Sequence, residues 1–168
     1  MEVIIENGKP ENLVSINEIY NHYVMNSNAT FDTEEWDEQR RSDWFQQFNL
    51  QPNLYNLFVA KSKGEVIGFA YNSKFKEKQA YFTSSELTVY IKPGFEGNGL
   101  GGKLYNALLP VIAGSQLHQL YAAITIPNAA SIRLHEKYGF RLVGSMKEVG
   151  YKNGQFHSVS LYEKQISN

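Results

Sequence analysis

Two hydrophobic periodicities alternate along this chain of 168 residues. Leu13, Ile16, Tyr20 and Val24 recur at helical spacing, which predicts an amphipathic helix over about 11–25. Short apolar runs bounded by Gly, Pro or Asn are instead typical of strands. In chain order the pattern predicts a strand over 1–6, the helix over 11–25, a second helix ending near 48, strands over 56–60, 66–71 and 80–91, a helix over 100–113, a strand over 121–126, a helix over 128–138, and strands over 141–148 and 156–164.

The second helix is predicted from its start signal. Asp32 is followed three positions later by Glu35, a spacing typical of a capping box. The apolar positions of that helix would be Trp36, Trp44, Phe45 and Phe48. The resulting order of elements favours an α/β or α+β domain with one mixed sheet, and no repeat or linker divides residues 1–168.

Composition narrows the classes of function. The formal net charge is -1, so no global field attracts nucleic acid or a membrane surface. The absence of cysteine excludes disulfides, thiolate metal sites and a cysteine nucleophile. No apolar run reaches the length of a membrane span, and the N-terminus lacks the pattern of a signal peptide. These features fit a cytoplasmic protein and give no sign of a nucleic-acid or membrane partner.

The most informative segment is a glycine-rich turn between the strand over 80–91 and the helix over 100–113. Glycines occupy positions 97, 99, 101 and 102 at the start of that helix. Backbone N–H groups of such a turn can surround an anion, and the helix N-terminus adds positive potential, so the segment predicts a phosphate or pyrophosphate site. An ordinary glycine-rich turn is the alternative. A Rossmann site is disfavoured because no Asp or Glu lies between Gly97 and His135, and no Gly-Lys-Ser/Thr sequence forms a P-loop.

This strand, turn and helix resemble the R/Q-x-x-G-x-G/A acyl-CoA motif of the GNAT N-acetyltransferases, and residues 121–140 continue the similarity. Within that superfamily the chain is similar to the phosphinothricin and methionine-sulfoximine acetyltransferases. The stretches that carry this similarity lie at 19–24, 30–31, 86–90, 133–136 and 150–152. The resemblance implies a mixed sheet of six to seven strands with about four helices. It also implies acetyl-CoA as co-substrate, a small amine as acceptor and a homodimer. No pair of histidines has metal-ligand spacing, so we expect no metal.

Acetyl transfer to an amine needs a base for the ammonium proton, donors for the oxyanion and an acid for the departing thiolate. By resemblance, Glu86 is the candidate base, and the alternative is a solvent-facing strand residue or ion-pair partner. His135 stands where many relatives have the tyrosine that protonates the thiolate, and packing beside the coenzyme is the alternative. Asn128 would cap the last helix and also bond the coenzyme.

The remaining site residues are also implied by the resemblance. The coenzyme would contact Val89, Tyr90, Ile91, Gly97, Asn98, Gly99, Leu100, Gly101, Gly102, Asn128 and Ser131. The substrate would contact Phe31, Lys78, Tyr81, Glu86 and Thr88.

Several positions depart from the family pattern. Glu96 and Asn98 stand where the coenzyme motif often carries Gln, Arg or another basic residue. Ser158 and Phe156 replace an aspartate and a tryptophan that are common in relatives. These departures leave open an acetyltransferase for another amine, such as a polyamine, an aminoglycoside or a protein N-terminus. They also leave open a non-catalytic acyl-CoA-binding module.

Overall fold

The computed structural model describes residues 1–166, which form a seven-stranded sheet in the order β1-β2-β3-β4-β5-β7-β6. The strands are β1 (Ile4–Asn7), β2 (Leu57–Ser62), β3 (Glu65–Lys74), β4 (Ser84–Ile91), β5 (Gln119–Ile126), β6 (Arg141–Lys152) and β7 (Gln155–Gln165). The helices are α1 (Leu13–Asn26), α2 (Glu38–Leu50), α3 (Leu100–Ala113) and α4 (Ala129–Lys137). Neighbouring strands are antiparallel except β4 and β5, which are parallel. The predicted mixed sheet with about four helices is confirmed.

Helices cover both faces of the sheet, and side-chain alternation along the strands divides the core between them. Phe69 and Tyr90 belong to the cluster under α1 and α2. Ala70 and Leu87 belong to the cluster that contains the apolar side of α3. Because side chains alternate with a period of two, Glu86 projects to the same face of β4 as Tyr90, toward α1 and α2.

The interface between α1 and α2 contains a buried arginine. Arg41 is 2% exposed, and its guanidinium lies over the rings of Tyr20, Trp36 and Trp44 at 4.8, 4.2 and 4.6 Å. Its Nε donates to Asn17 Oδ1 at 2.9 Å. The aromatic faces stabilise a cation that has little contact with water, so Arg41 fixes the first turn of α2 against α1.

The predicted capping box is wrong. The N-cap of α2 is Asp37, whose carboxylate accepts from the Arg40 N–H at 2.7 Å. Asp32 instead accepts hydrogen bonds from Tyr20 Oη and Trp36 Nε1. These tertiary bonds hold the segment before α2 in a non-helical conformation, which a local start signal could not reveal.

The strand predicted over 80–91 is shorter than expected. Residues 79–81 form a 3-10 turn, and β4 begins at Ser84. The backbone carbonyl of Thr83 accepts from His118 N at 2.7 Å, which fixes the entry of β4 beside β5. The two C-terminal strands extend further than predicted, since β6 and β7 meet in a tight turn at 153–154. In the part of the chain described, no helix combines the length and the apolarity that crossing a membrane requires.

Candidate active site

A cavity of about 790 Å³ opens where two parallel strands separate. β4 pairs with β5 only from Ser84 to Glu86, and beyond Glu86 the two strands diverge. The far sides of both strands remain paired, with β3 and β7 respectively. The facing edges of 87–91 and 122–125 therefore line the cavity with backbone groups that are not paired between β4 and β5. An extended ligand that carries amides can bond such an edge as an added strand does.

Backbone alternation selects which groups of β4 face this opening. Lys92 N donates to Ile67 O of β3, so within the same ladder the backbone of Tyr90 also bonds β3, opposite Phe69. The backbone groups of Val89 and Ile91 point the other way, into the cavity. The prediction that all three residues present their backbone to the coenzyme is corrected for Tyr90, whose side chain is instead part of the cavity wall.

The glycine-rich turn ends β4 and begins α3. Gly94, Gly97 and Gly99 adopt φ values of +86°, +77° and +70°, which residues with a Cβ rarely adopt. Gly99 is the N-cap of α3, and no side chain caps the helix. The first N–H groups of α3 consequently have no intrahelical acceptor and lie beside the cavity. The turn offers positive potential and free donors, as an anion site requires.

Gly101 and Gly102 serve a different purpose from the glycines of the turn. A Cβ on Gly101 would lie 2.8 Å from Leu134 Cδ2, and a Cβ on Gly102 would lie 3.2 Å from the Tyr138 hydroxyl. The Tyr138 hydroxyl also donates to Gly102 O at 2.8 Å. Both glycines therefore allow α4 to pack closely against the first turn of α3.

The side chains of the two unusual turn residues fold back onto the turn itself. The Glu96 carboxylate accepts from Gly94 N at 2.7 Å. Asn98 Nδ2 donates to the carbonyls of Phe95 and Glu96 at 3.1 and 3.3 Å. Glu96 lines the cavity, whereas the predicted coenzyme ligand Asn98 does not.

Glu86 lies at the point where the strands separate. Burial raises the pKa of its carboxyl group above the ordinary value. Within residues 1–166 the carboxylate has no hydrogen bond and no ion pair in this structure. The side chain therefore meets the conditions for a base, since it is desolvated, unpaired and at the wall of a cavity.

Aromatic side chains line the cavity on the face of β4 that carries Glu86 and Tyr90. Phe31 and Thr88, both predicted substrate contacts, line it together with Tyr20, Tyr23 and Tyr71. The tyrosines were not predicted as site residues, because Tyr20 matched the apolar face of α1 and Tyr71 matched the end of a strand.

The loop that carries Phe31 is anchored by the C-terminal hairpin. Lys152, which is 4% exposed, donates from Nζ to Thr30 O at 2.9 Å. A Cβ on Gly150 would overlap the Phe31 ring, so this glycine makes room for the aromatic wall. The position of Phe31 is therefore fixed by contacts from a strand more than a hundred residues away in the sequence.

The start of α4 forms the opposite wall. Asn128 is the N-cap, as predicted, and its Oδ1 accepts from Ser131 N at 3.1 Å. Asn128, Ser131 and His135 all line the cavity. His135 is 2% exposed, and burial lowers its pKa.

Both ring nitrogens of His135 are engaged. Nδ1 lies 2.8 Å from Ser131 O, and because a carbonyl only accepts, Nδ1 carries the proton. Nε2 lies 2.8 Å from the Tyr105 hydroxyl and accepts from it in the neutral ring. This arrangement leaves no free N–H for a thiolate and favours the packing alternative for His135.

Two predicted substrate residues lie elsewhere. Lys78 and Tyr81 are exposed, and neither lines the cavity. Tyr81 packs edge-on against Phe75, with ring centroids 6.1 Å apart, and Lys76 lies over its ring. The 3-10 turn directs this segment outward, which the prediction of a continuous strand missed.

A second hollow of similar volume lies between α1 and α2. Its walls carry Glu18, His22 and Glu38, without a strand edge or a glycine-rich turn. Within residues 1–166 no three His, Asp or Glu side chains are grouped to hold a metal ion. The cavity between β4 and β5 is therefore the candidate active site.

Comparison with known proteins identifies the family of this chain. A family model described as an acetyltransferase (GNAT) domain matches residues 5–159. A phosphinothricin N-acetyltransferase of Streptomyces coelicolor is 41% identical over 167 residues, covering 98% of this chain and 97% of the relative. An L-methionine sulfoximine/L-methionine sulfone acetyltransferase of Salmonella typhimurium is 32% identical, covering 90% of this chain and 88% of the relative.

A solved structure agrees in fold. The crystal structure of a GNAT superfamily phosphinothricin acetyltransferase from Sinorhizobium meliloti, in complex with AcCoA, superposes with a TM-score of 0.90 at 30% identity. The match covers 99% of this chain and 90% of that one. The resemblance found in the sequence is thereby confirmed, and the chain belongs to the GNAT family of acetyltransferases.

Proposed function

We propose that this chain transfers the acetyl group of acetyl-CoA directly to the primary amine of a small amino-acid-like substrate. The observation that carries the proposal is the position of Glu86, an unpaired and desolvated carboxylate at the point where β4 and β5 separate. The same cavity is lined by aromatic side chains, by the free strand edge and by the glycine-rich turn. Relatives named for phosphinothricin and methionine sulfoximine support this substrate class.

The residues present fit a coenzyme in the cavity. The backbone of Val89 and the N–H of Ile91 would pair with the pantetheine amides, since the Ile91 carbonyl already accepts from the Tyr23 hydroxyl at 2.6 Å. The first N–H groups of α3 would hold the pyrophosphate. Asn128 uses its Oδ1 as a cap and has its Nδ2 available for the coenzyme arm.

Glu86 would act as the general base. A primary ammonium has a reference pKa near about 10, so it must lose a proton before its nitrogen can attack the thioester carbon. Glu86 accepts that proton, directly or through one water. The backbone N–H groups on the free edge of β4 are the candidate donors to the oxyanion, and the tetrahedral intermediate then collapses with loss of the thiolate.

His135 would serve this reaction as a packing residue. With its single proton bonded to Ser131 O and its other nitrogen bonded to Tyr105, it fixes α4 against α3. The thiolate would take its proton from water at the cavity mouth.

The first experiment is thiol release from acetyl-CoA with a panel of amines. Phosphinothricin, methionine sulfoximine and methionine sulfone should react, and the product should be the N-acetyl compound by mass spectrometry. A polyamine, an aminoglycoside and a peptide N-terminus test the other amine classes. Coenzyme binding without turnover on any amine would contradict the proposal and favour the non-catalytic module.

We also propose that the chain forms a homodimer through β6, the edge strand of the sheet. Leu142, Val143, Met146 and Val149 on this strand are 46–55% exposed, which is unusual for a strand edge that faces water. We propose that a second copy of the chain covers this strand, because the family resemblance implies a homodimer. Light scattering should give twice the chain mass, and Met146→Glu should give the monomer; an unchanged mass in the variant would place the interface elsewhere.

A cytoplasmic location remains a prediction. It is supported by the absence of cysteine, since such a chain does not depend on disulfides and suits a reducing compartment. We likewise propose that residues 1–168 act as one domain, because the family model spans most of the chain.

A further inference from the structure

The coenzyme end of the cavity is short of positive charge. The turn contributes the Glu96 carboxylate, and the amide of Asn98 bonds the turn itself. Lys92 precedes the turn, but its Nζ forms an ion pair with Glu65. Lys103 on α3 does not line the cavity. A coenzyme with three phosphate groups would therefore meet an anionic side chain and no cation from the turn.

One cation does line this cavity from another element. Arg133 lies on α4, is exposed, and forms no ion pair within residues 1–166. Among the lining residues described, Arg133 is the one arginine, and no lysine lines the cavity.

The packing of α4 fixes where Arg133 can act. The adjacent residue, Leu134, lies so close to Gly101 that a Cβ there would be 2.8 Å from its Cδ2. One turn further, Tyr138 bonds Gly102 O at 2.8 Å. Because two contacts hold α4 against the first turn of α3, the backbone of Arg133 stands beside the helix N-terminus that forms the anion site.

We propose that Arg133 supplies the positive charge for the coenzyme phosphates that the turn lacks at positions 96 and 98. The inference rests on the proposed coenzyme site. A guanidinium can bond two phosphate oxygens at once and retains its charge at any physiological pH. The cation would thus reach the phosphates from α4 and not from the turn itself. The carboxylate of Glu96 would then oppose Arg133 and reduce its benefit.

The test is calorimetric titration of CoA and dephospho-CoA into the wild-type chain and Arg133→Gln. Loss of one charge-assisted contact should weaken CoA binding about ten- to a hundred-fold. The loss should shrink as salt rises, because it is electrostatic. A similar loss with dephospho-CoA assigns the contact to the pyrophosphate, and a loss confined to CoA assigns it to the 3′-phosphate.

Lys137→Gln is the matched control. Lys137 lies one turn further along α4, is exposed and does not line the cavity, so its removal changes the net charge equally. Its CoA affinity should stay within about two-fold of wild type. Equal affinities for Arg133→Gln and wild type, with measurable wild-type binding, would overturn the inference. Absence of CoA binding by the wild-type chain would instead overturn the proposed function.

Discussion

Replacing Glu86 with Gln separates catalysis from folding, because the structure predicts opposite effects on the two. The carboxylate has no hydrogen bond or ion pair within residues 1–166, so the isosteric amide leaves no partner unsatisfied. Loss of a general base should lower kcat by about 10²–10⁴, which corresponds to about 2.7–5.4 kcal/mol in the activation barrier. Coenzyme affinity should be unchanged, since Glu86 lies at the opposite end of β4 from the turn.

The free energy of unfolding at neutral pH should rise in the Glu86→Gln variant, although kcat falls. Burial raises the pKa of Glu86 in the folded state, so the folded chain holds this proton more tightly than the unfolded chain. Its contribution to stability is complete below the unfolded pKa and is lost as pH rises through the folded pKa. At neutral pH the buried carboxylate therefore costs stability, and the neutral Gln avoids that cost. The melting temperature of the variant relative to wild type should be higher at pH 7 than at pH 4.

The assay compares kcat, CoA affinity and melting temperature across pH for both proteins. For the wild type, kcat/KM should rise with pH through the elevated pKa of Glu86, and the variant should lose this dependence. The kinetic defect should shrink at high pH, where the amine loses its proton unaided. A stable Glu86→Gln protein with near-normal turnover would refute the assignment, and a lower melting temperature at every pH would indicate a structural role.

Three further substitutions test the surroundings of the cavity. Glu96→Gln should tighten acetyl-CoA binding about two-fold at low salt, since removing an exposed negative charge near a phosphate is worth roughly 0.5 kcal/mol. An unchanged affinity by calorimetry at every salt concentration would contradict this prediction. Gly101→Val should separate α4 from α3, because the new side chain would clash with Leu134. The free energy of unfolding should fall by about 1–3 kcal/mol, and coenzyme binding should weaken. A melting temperature equal to that of the wild type would contradict this prediction. His135→Gln should lower the free energy of unfolding by about 1–3 kcal/mol, because the hydrogen bond to Tyr105 is lost. The kcat of this variant should fall less than about ten-fold. A larger drop in kcat at unchanged stability would instead identify His135 as the general acid.

The chemistry-bearing segments were predictable because their signals are local. Positive φ at Gly97 and Gly99 and the cap at Asn128 are properties of a few consecutive residues. Glu86 was proposed as the base from its place in the strand before the turn and from the family resemblance. Such features can be identified in a sequence before any tertiary contact is known, and here they placed the chain in the correct family.

Other features depended on which elements meet in space. The positions of Lys78 and Tyr81 outside the cavity follow from a 3-10 turn that a strand-like pattern concealed. The wall residue Phe31 is placed by Lys152 and Gly150 from a distant hairpin.

The sequence alone therefore determined the order of the elements and the glycine-rich turn, and together with the family resemblance it proposed the candidate base. Only the tertiary structure decided that Gly101 serves helix packing, that Val89 faces the cavity with its backbone while Tyr90 does not, and that Arg133 stands beside the turn. The physical reason is that a turn is set by its own torsions, whereas the direction of a strand edge and the approach of α4 are set by neighbours far away in the chain.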